Sequence, residues 1–420
     1  MKLPGPSNRR VFLVRSLKVL GAGALARNAV LDAVLTPRSA RAAGPARTLV
    51  LVRLYGGNDG LNTIVPYGSG LYYDGRPTIA IPGGQVLPID GSIGFHPALA
   101  PLKAHYDAGR LAVLQSVHYP NPDLSHFTSE AIWMTADPTR AETKGWIGRY
   151  LDTLAPPGDP DVRAVDVSYS LDQVFYGDHP NVFALPTLDG LEFPYDYYHS
   201  GEAPLVRDAF ETISLEPRAP GSTAESLATG GYVLSRNVDL YAAIPDATTA
   251  AFPDSGLGRA LREVARMATA ASAGDIATGV YQVGIGGFDT HARQERGDSR
   301  HSDLLADLAG SLAAFQQEIT ARGLAGDTVV VLYSEFGRRV EENGSFGTDH
   351  GTSAPMLVLG APVAGGVYGP DPDLADLDAD DNLKFAVDFR QVYATLLARW
   401  LGADPVQVLG GTFTEIPFLP

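Results

Sequence analysis

The sequence predicts an α/β fold, with a mostly parallel central sheet and helices on both of its faces, from three observations. Short, nearly continuous apolar runs at residues 48–55, 279–285 and 328–333 have the composition of strands buried on both faces. Stretches of helical spacing alternate with these runs, the longest at residues 301–322. Each run leads into a loop that carries glycine or an acidic residue. Strands interleaved with helices in this way are typical of a parallel sheet covered on both sides.

The remaining elements follow the same alternation. Pro97 begins a predicted helix that ends near Gly109, and a strand is expected at residues 111–117. Asp123 or Ser125 would cap the next helix, which runs through Met134. The last expected elements are a helix at 257–271, a strand at 356–359 and a helix at 388–401.

Residues 156–253 break this alternation. Tyrosine, proline, glycine and aspartate become frequent there, as in the segment 194–199. We interpret the region as an inserted cap over the crevice at the carboxyl ends of the strands, with a helical piece at 203–214. A small packed subdomain is the alternative, because aromatic side chains pack together as readily as they line a groove.

Composition bounds the class of protein. The 420 residues, 45% of them hydrophobic and 19% charged, suit one large globular domain or two smaller ones. The chain has no cysteine, which excludes disulfides, thiolate metal sites and a cysteine nucleophile. No apolar run reaches about 20 residues, so no membrane span is expected in the mature chain. The net charge of −16 argues against a nucleic-acid partner.

The first residues have the features of an export signal. Residues 7–13 resemble the twin-arginine motif, a modestly apolar stretch follows at 19–35, and Ala40-Arg41-Ala42 offers small residues for cleavage. We predict a signal peptide at 1–42, a mature domain at 43–420, and a periplasmic or secreted location. The mature chain would be more acidic still, at −23, because the signal carries eight basic residues and one acidic residue. An ordinary amphipathic helix at the N-terminus is the alternative.

Acidic and imidazole side chains follow the predicted strands, at the edge where the carboxyl ends of parallel strands meet. Imidazole with carboxylate suits zinc, manganese or iron, whereas oxygen ligands alone suit calcium or magnesium. One or two ions are expected, and two ions roughly 4 Å apart would bind both the attacking and the leaving oxygen of a displacement at phosphorus. For Asp289 and His291 alone, the alternative is a capping aspartate beside a surface histidine. The candidate metal ligands are Asp59, Asp289, His291, Glu335, Asp349 and His350.

The candidate catalytic residues are Ser125, His126 and Arg338. At a helix start, a nearby ion would help the Ser125 hydroxyl to lose its proton, while first-turn N–H groups receive the anionic oxygens of a substrate. Serine is also a preferred helix cap, which is the alternative. His126 would act as a general acid or a further ligand, or else be a packed or surface histidine. Arg338 and Asn62 would orient a substrate oxygen, or serve as structural hydrogen-bonding residues.

These motifs, taken in order, resemble the domain of unknown function 1501, an often twin-arginine-exported family of the alkaline phosphatase and sulfatase superfamily. The matching segments are 54–62, 125–127, 287–291, 334–338 and 347–351. The resemblance implies an alkaline-phosphatase-like fold in which Asp59 is a first-strand ligand and Ser125 the nucleophile. It also implies that Asp289 and His291 form an Asp/His ligand pair and that His350 is a late ligand.

The chain departs from the superfamily pattern at two places. Well-studied members carry an Asp-His pair for the second ion, where this chain has Glu335 followed by Phe336; Asp349 is the candidate replacement. Residues 125–129 lack the proline and arginine of the Cys/Ser-x-Pro-x-Arg motif, which argues against the usual sulfatase nucleophile.

The sequence therefore favours an exported metal-dependent hydrolase of phosphate, phosphonate or sulfate esters, with a small anionic ester as its substrate. The alternative is a non-catalytic exported binding or assembly protein that kept the fold. Because family members often accompany another large exported protein, such a protein is the expected partner in that case.

Overall fold

The computed structural model describes residues 47–154, 159–178, 181–193, 203–219, 222–295 and 300–420. The predicted signal peptide lies outside these residues. Within them, no helix is both long enough and apolar enough to cross a membrane.

The strands that the structure describes fall into a large sheet and a small one. They are β1 (Thr48–Tyr55), β2 (Ile64–Val65), β3 (Leu87–Pro88), β4 (Gly94–Phe95), β5 (Leu111–His118), β6 (Ala164–Asp166), β7 (Val182–Ala184), β8 (Val280–Gly286), β9 (Thr328–Ser334), β10 (Ala354–Leu359), β11 (Gly366–Tyr368) and β12 (Val387–Asp388). The large sheet has the order β11-β5-β10-β9-β1-β8-β6-β7, with β12 also paired to β5, and β2, β4 and β3 form the small sheet.

The direction of β10 decides where the loops of the large sheet meet. The pairs of β1 with β8 and with β9 are parallel, whereas β10 is antiparallel to both of its neighbours, β9 and β5. The chain therefore leaves β9 and enters β10 at the same edge of the sheet. That edge also receives the loops after β1, β5 and β8, so four loops from distant parts of the chain meet there.

Helices cover both faces of the large sheet, as the alternation in the sequence predicts. The described helices are α1 (Gly70–Gly75), α2 (Ala100–Asp107), α3 (His126–Thr135), α4 (Trp146–Leu154), α5 (Ala203–Ser214), α6 (Thr223–Ala242), α7 (Gly256–Ser272), α8 (Arg300–Ala321), α9 (Phe389–Thr395) and α10 (Pro405–Leu409). A π-helical segment, Leu396–Leu401, continues α9.

The two apolar layers follow from the period of two along each strand. Val50 and Val52 of β1 pack with α7 and α8 on one face, whereas Leu49 and Leu51 pack with α3, α4 and α9 on the other. All four side chains are fully buried. The predicted α/β class, with a mostly parallel sheet between two helical layers, is confirmed.

The described part of residues 156–253 is more than an insertion, because it contributes strands to the large sheet. It supplies β6 and β7, which extend the large sheet in parallel beyond β8. The helices α5 and α6 follow, and Tyr241 and Val233 of α6 join the apolar layer of α7. A cover over the crevice stays a prediction.

Candidate metal centre

The loops at the carboxyl edge approach one another backbone to backbone. Gly56 follows β1 with a φ of +115°, and a Cβ there would lie 2.4 Å from the backbone nitrogen of Asp289. A Cβ on Gly347 would lie 2.3 Å from the carbonyl carbon of His291. Only glycine fits at such distances. The glycines on these loops thus allow the side chains after β8 and before β10 to share one space.

Three side chains meet at one carboxylate oxygen. Asp289 Oδ1 lies 3.1 Å from His291 Nε2 and 3.2 Å from His350 Nε2. The two imidazole nitrogens are 3.1 Å from each other. These three atoms form a nearly equilateral triangle, which we call the Asp289–His291–His350 triangle. The structure therefore brings His350 of the loop before β10 together with Asp289 and His291 of the loop after β8, all three being candidate ligands.

His126 faces the same space from the first turn of α3. Its Nε2 lies 3.7 Å from Asp289 Oδ2, and His126, Asp289 and His350 each offer a ligand atom within 4.8 Å of the other two. Arg53 of β1 forms an ion pair of 2.7 Å with Glu130, one helical turn after His126. This pair fixes α3 against β1 and so fixes where His126 points.

Each of the three imidazoles is held through its Nδ1. The partner is the Glu335 carboxylate for His126 at 2.8 Å, the Asp349 carboxylate for His291 at 3.0 Å, and the Leu124 carbonyl for His350 at 2.9 Å. Because carboxylates and carbonyls accept, each Nδ1 must carry the proton, which leaves Nε2 as the second nitrogen of the ring. Metal-binding histidines have this arrangement in most proteins.

The charges around Asp289 favour its ionised form. Burial alone would raise the pKa of Asp289, but the hydrogen bond from Arg338 and the positive charge of its guanidinium hold it at about 2. Burial lowers the pKa of His350. The hydrogen bond to Glu335 raises the pKa of His126. An ionised carboxylate and a neutral His350 are the forms in which both residues bind a metal ion.

The triangle fits a small divalent ion. Ligand bonds of about 2.0–2.1 Å in a tetrahedral site correspond to ligand–ligand distances of about 3.3 Å, close to the 3.1 and 3.2 Å observed. Two unprotonated ring nitrogens and a carboxylate oxygen at such distances repel one another unless a cation lies between them. The donor set therefore fits a metal ion, and with two nitrogens it suits zinc better than calcium or magnesium.

Asp59, the expected first-strand ligand, lies elsewhere. It is fully buried and forms an ion pair with Arg76 at 2.6 and 3.0 Å. Its oxygens also accept from the Leu61 backbone and from Gln294. None of these partners belongs to the triangle, so the structure assigns Asp59 to a structural ion pair and departs from the expectation.

Glu335 and Asp349 contact the imidazoles on the Nδ1 side, and the candidate ligand nitrogens are on the opposite side of the rings. Besides His126, Glu335 accepts from the Gly56 backbone at 2.8 Å and is almost fully buried. Asp349 accepts from Asn343 at 3.0 Å as well as from His291. Both acids orient a histidine, which differs from the ligand role expected from the sequence. With Asp59 engaged as well, the described residues provide donors for one ion.

Arg338 holds the loops of the site together, and its expected role toward a substrate stays a prediction. It is nearly fully buried, and its guanidinium donates to the carbonyls of Gly57, Gly56, Thr348 and Phe288 as well as to Asp289 Oδ1 at 2.6 Å. Every loop of the site except that before α3 is thereby tied to one side chain.

Asn62 has the structural role that the sequence left open. It is fully buried, its amide donates to the Ile79 carbonyl at 2.9 Å, and its oxygen accepts from Tyr72 and Arg76. Both amide hydrogens of Asn62 are directed at groups of the fold, the Ile79 carbonyl and the Glu295 carboxylate.

Ser125 precedes α3 between two residues of the site. The Leu124 carbonyl holds His350, and His126 holds Glu335. Ser125 is exposed, and its side chain makes no capping hydrogen bond to α3. Within the described residues, the helix-cap alternative therefore does not account for this serine, and the first-turn N–H groups of α3 have no side-chain acceptor.

Sequence reasoning missed the residues that orient the site through the backbone or from a distance. The Leu124 carbonyl carries no signal in sequence, and Asn343 lies in a loop with many small polar residues. Gln294 follows His291 by three residues, and its complete burial, which is rare for a glutamine on a loop, is seen only in the structure.

Comparison with known proteins finds one family model that matches part of the chain. A family model described as "Protein of unknown function (DUF1501)" matches residues 225–413, which include the segments around Asp289, Glu335 and His350. Comparison with curated protein sequences finds no match.

Solved structures with a similar fold are distant in sequence. The PsFucS1 sulfatase from Pseudoalteromonas sp. is 10% identical, with 94% of this chain and 74% of that chain covered and a TM-score of 0.37. A protein in the alkaline phosphatase superfamily from Vibrio parahaemolyticus is 9% identical, with coverage of 88% and 71% and a TM-score of 0.35. At these TM-scores the similarity carries no information about the reaction. The family model covers a little under half of the chain, and within residues 225–413 it agrees with the resemblance that the motifs indicate.

Proposed function

We propose that this protein is a hydrolase of phosphate, phosphonate or sulfate esters that depends on one divalent metal ion, and that it works after export to the periplasm or the medium. The observation that carries the proposal is the Asp289–His291–His350 triangle with Nδ1 of both rings anchored. Asp289 and His291 are each about half exposed, so a dissolved ester can reach them.

The donor set supports zinc as the ion. Asp289, His291 and His350 would hold it, and three protein donors leave one position of a tetrahedral ion for a substrate oxygen. A divalent ion at this place acts as a Lewis acid on the ester. The proposed site therefore holds one ion, whereas the superfamily resemblance implies two.

Ser125 and His126 are the proposed reacting residues. Attack by Ser125 Oγ on phosphorus or sulfur forms one bond to oxygen and breaks the bond to the alcohol, while the serine proton passes to solvent. His126, held by the Glu335 carboxylate, gives its Nε2 proton to the departing alcohol. Water then attacks the phosphorus or sulfur of the serine ester and gives its proton to His126, while the bond to Ser125 Oγ breaks and solvent returns a proton to that oxygen. The first-turn N–H groups of α3 would bind the anionic oxygens.

The alternative, an exported protein that binds a partner without catalysis, has one specific observation in its favour. Asp59 and Glu335, two of the expected ligands, are bound within the fold. A single retained ion would then stabilise structure and not a transition state.

Metal content and turnover together test the proposal. We expect purified protein to bind one zinc ion and to cleave aryl phosphates or aryl sulfates. Asp289→Ala and His350→Ala should lose both properties by at least 10-fold, whereas Ser125→Ala should lose turnover and keep zinc. His105→Ala, on α2, is the matched control and should keep both. Protein that binds zinc but cleaves no ester favours the binding alternative, and protein that takes up no metal contradicts both the ion and the hydrolase.

A further inference from the structure

A buried glutamine connects the two loops that carry the histidines. Gln294 is fully buried, and its Oε1 accepts from the hydroxyl of Thr290 at 2.9 Å and from that of Thr348 at 2.7 Å. Thr290 lies between Asp289 and His291, and Thr348 lies two residues before His350. One amide oxygen thus bridges the loop after β8 and the loop before β10.

The orientation of this amide is fixed by Asp59. Gln294 Nε2 donates to Asp59 Oδ2, and an ionised carboxylate can only accept. Burial opposes ionisation of Asp59, but the adjacent Arg76 guanidinium lowers its pKa. Because Nε2 must face Asp59, Oε1 must face the two threonine hydroxyls. The sequence of contacts runs from Arg76 through Asp59 and Gln294 to the threonines.

Backbone hydrogen bonds also join the two loops, one of them close to the candidate ligands. Thr348 donates its backbone N–H to the Thr290 carbonyl at 3.1 Å. The backbone N–H groups of Gln294 and Arg293 donate to the carbonyls of Phe346 and Ser345 at 2.8 and 3.0 Å, farther from the imidazoles. The bridge through Gln294 adds two side-chain bonds on the buried side, at the two threonines next to the imidazole-bearing residues. A shift of 1 Å between the loops would change the distance between the Nε2 atoms of His291 and His350, which is 3.1 Å in the structure.

We infer that Gln294 is a positioning residue of the metal centre, which sets the spacing of His291 and His350 through Thr290 and Thr348. This inference rests on the proposed metal site. It also gives Asp59 a function in the site without metal contact, as the anchor of Gln294. Outer residues that orient ligands typically change metal affinity by 10- to 100-fold when they are replaced.

The test measures zinc affinity by competition with a chromogenic chelator, and the visible absorption of the cobalt(II) form as a signature of tetrahedral geometry. Gln294→Met should weaken zinc binding by roughly 10- to 100-fold and reduce the intensity of the cobalt bands. Thr290→Val and Thr348→Val should each weaken it less, and the double threonine variant should equal Gln294→Met, since all act through one bridge. Thr348→Ser, which keeps the hydroxyl, should restore wild-type binding.

Gln316→Met is the matched control, because Gln316 is also a buried glutamine but lies on α8, outside the site. It should leave zinc affinity and the cobalt spectrum unchanged. If Gln294→Met fails to fold, the isosteric threonine variants decide. Wild-type protein that binds zinc, with threonine variants that bind it equally well, overturns the inference and leaves the proposed function standing. Wild-type protein that binds no zinc overturns both.

Discussion

The ion pair of Asp59 with Arg76 separates two explanations of the first acidic motif. Both side chains are completely inaccessible to solvent. If the pair is structural, Asp59→Asn must destabilise the fold and keep the metal, since asparagine still offers Gln294 an oxygen. If Asp59 is instead a ligand, the same variant must lose metal with little effect on stability.

The size of the effect follows from the burial of the pair. Removing one partner of a buried pair leaves an uncompensated charge and costs about 3–5 kcal/mol. An unfolding entropy of about 2.1 cal/mol/K per residue, for 420 residues, gives roughly 0.9 kcal/mol/K. Asp59→Asn and Arg76→Met should therefore each lower Tm by about 3–6 °C.

Thermal and urea unfolding, combined with zinc titration, provide the assay. The double variant Asp59→Leu/Arg76→Met should be more stable than the sum of the single losses by about 2 kcal/mol, because it buries no lone charge. The reasoning is refuted if Asp59→Asn abolishes zinc uptake while Arg76→Met, at an equal loss of stability, retains it.

Three further outcomes are expected. Glu335→Gln removes the negative charge that holds His126, so turnover should fall by about 10-fold or more at neutral pH. Metal analysis should still find one zinc ion per protein, and an unchanged kcat would contradict the role of His126. Zinc at 100 times its Kd should stabilise the fold by about 2.7 kcal/mol, seen as a rise in Tm of roughly 3 °C that EDTA reverses and that is absent in Asp289→Ala. Among the residues that the structure describes, neither ring nitrogen of the fully buried His118 has a hydrogen-bond partner, and burial lowers its pKa to about 3 from 6.5. Between pH 6.5 and 3 the unfolded chain thus binds a proton at His118 that the folded chain does not, so this residue should lower the free energy of unfolding by about 1.4 kcal/mol for each unit by which the pH decreases. His118→Phe should remove this part of the slope in urea titrations, and parallel pH profiles of the two proteins would contradict it.

The period of apolar residues predicts the large sheet well, because strands buried on both faces have an unambiguous pattern. The runs that become β1, β8 and β9 lie within one residue of their predicted limits. The reversed direction of β10 was not predicted, since a short apolar run of six residues reads the same in both directions.

The site was predicted as a set of loops and less well as a set of roles. Asp289, His291 and His350 do meet, because each follows or precedes a strand at one edge. Asp59 and Glu335 lie at the same edge, but their partners, Arg76 and His126, decide what they do. Pairing of this kind depends on side-chain directions in three dimensions, and the spacing of residues along a loop does not contain it.

The reversed strand has a consequence for the order in which this protein folds. β9 and β10 are consecutive strands and neighbours in the sheet, so the 19 residues between them close a loop at a smaller entropic cost than pairing of strands from distant parts of the chain. Its bridge between Arg338 and His350 can form as soon as these two strands pair. Asp289 and His291 arrive only when β8 docks on the far side of β1, which requires contacts between distant parts of the chain. The candidate ligands come together only when the large sheet is complete, so protection of backbone amides from hydrogen exchange on metal binding should indicate that the whole sheet has formed.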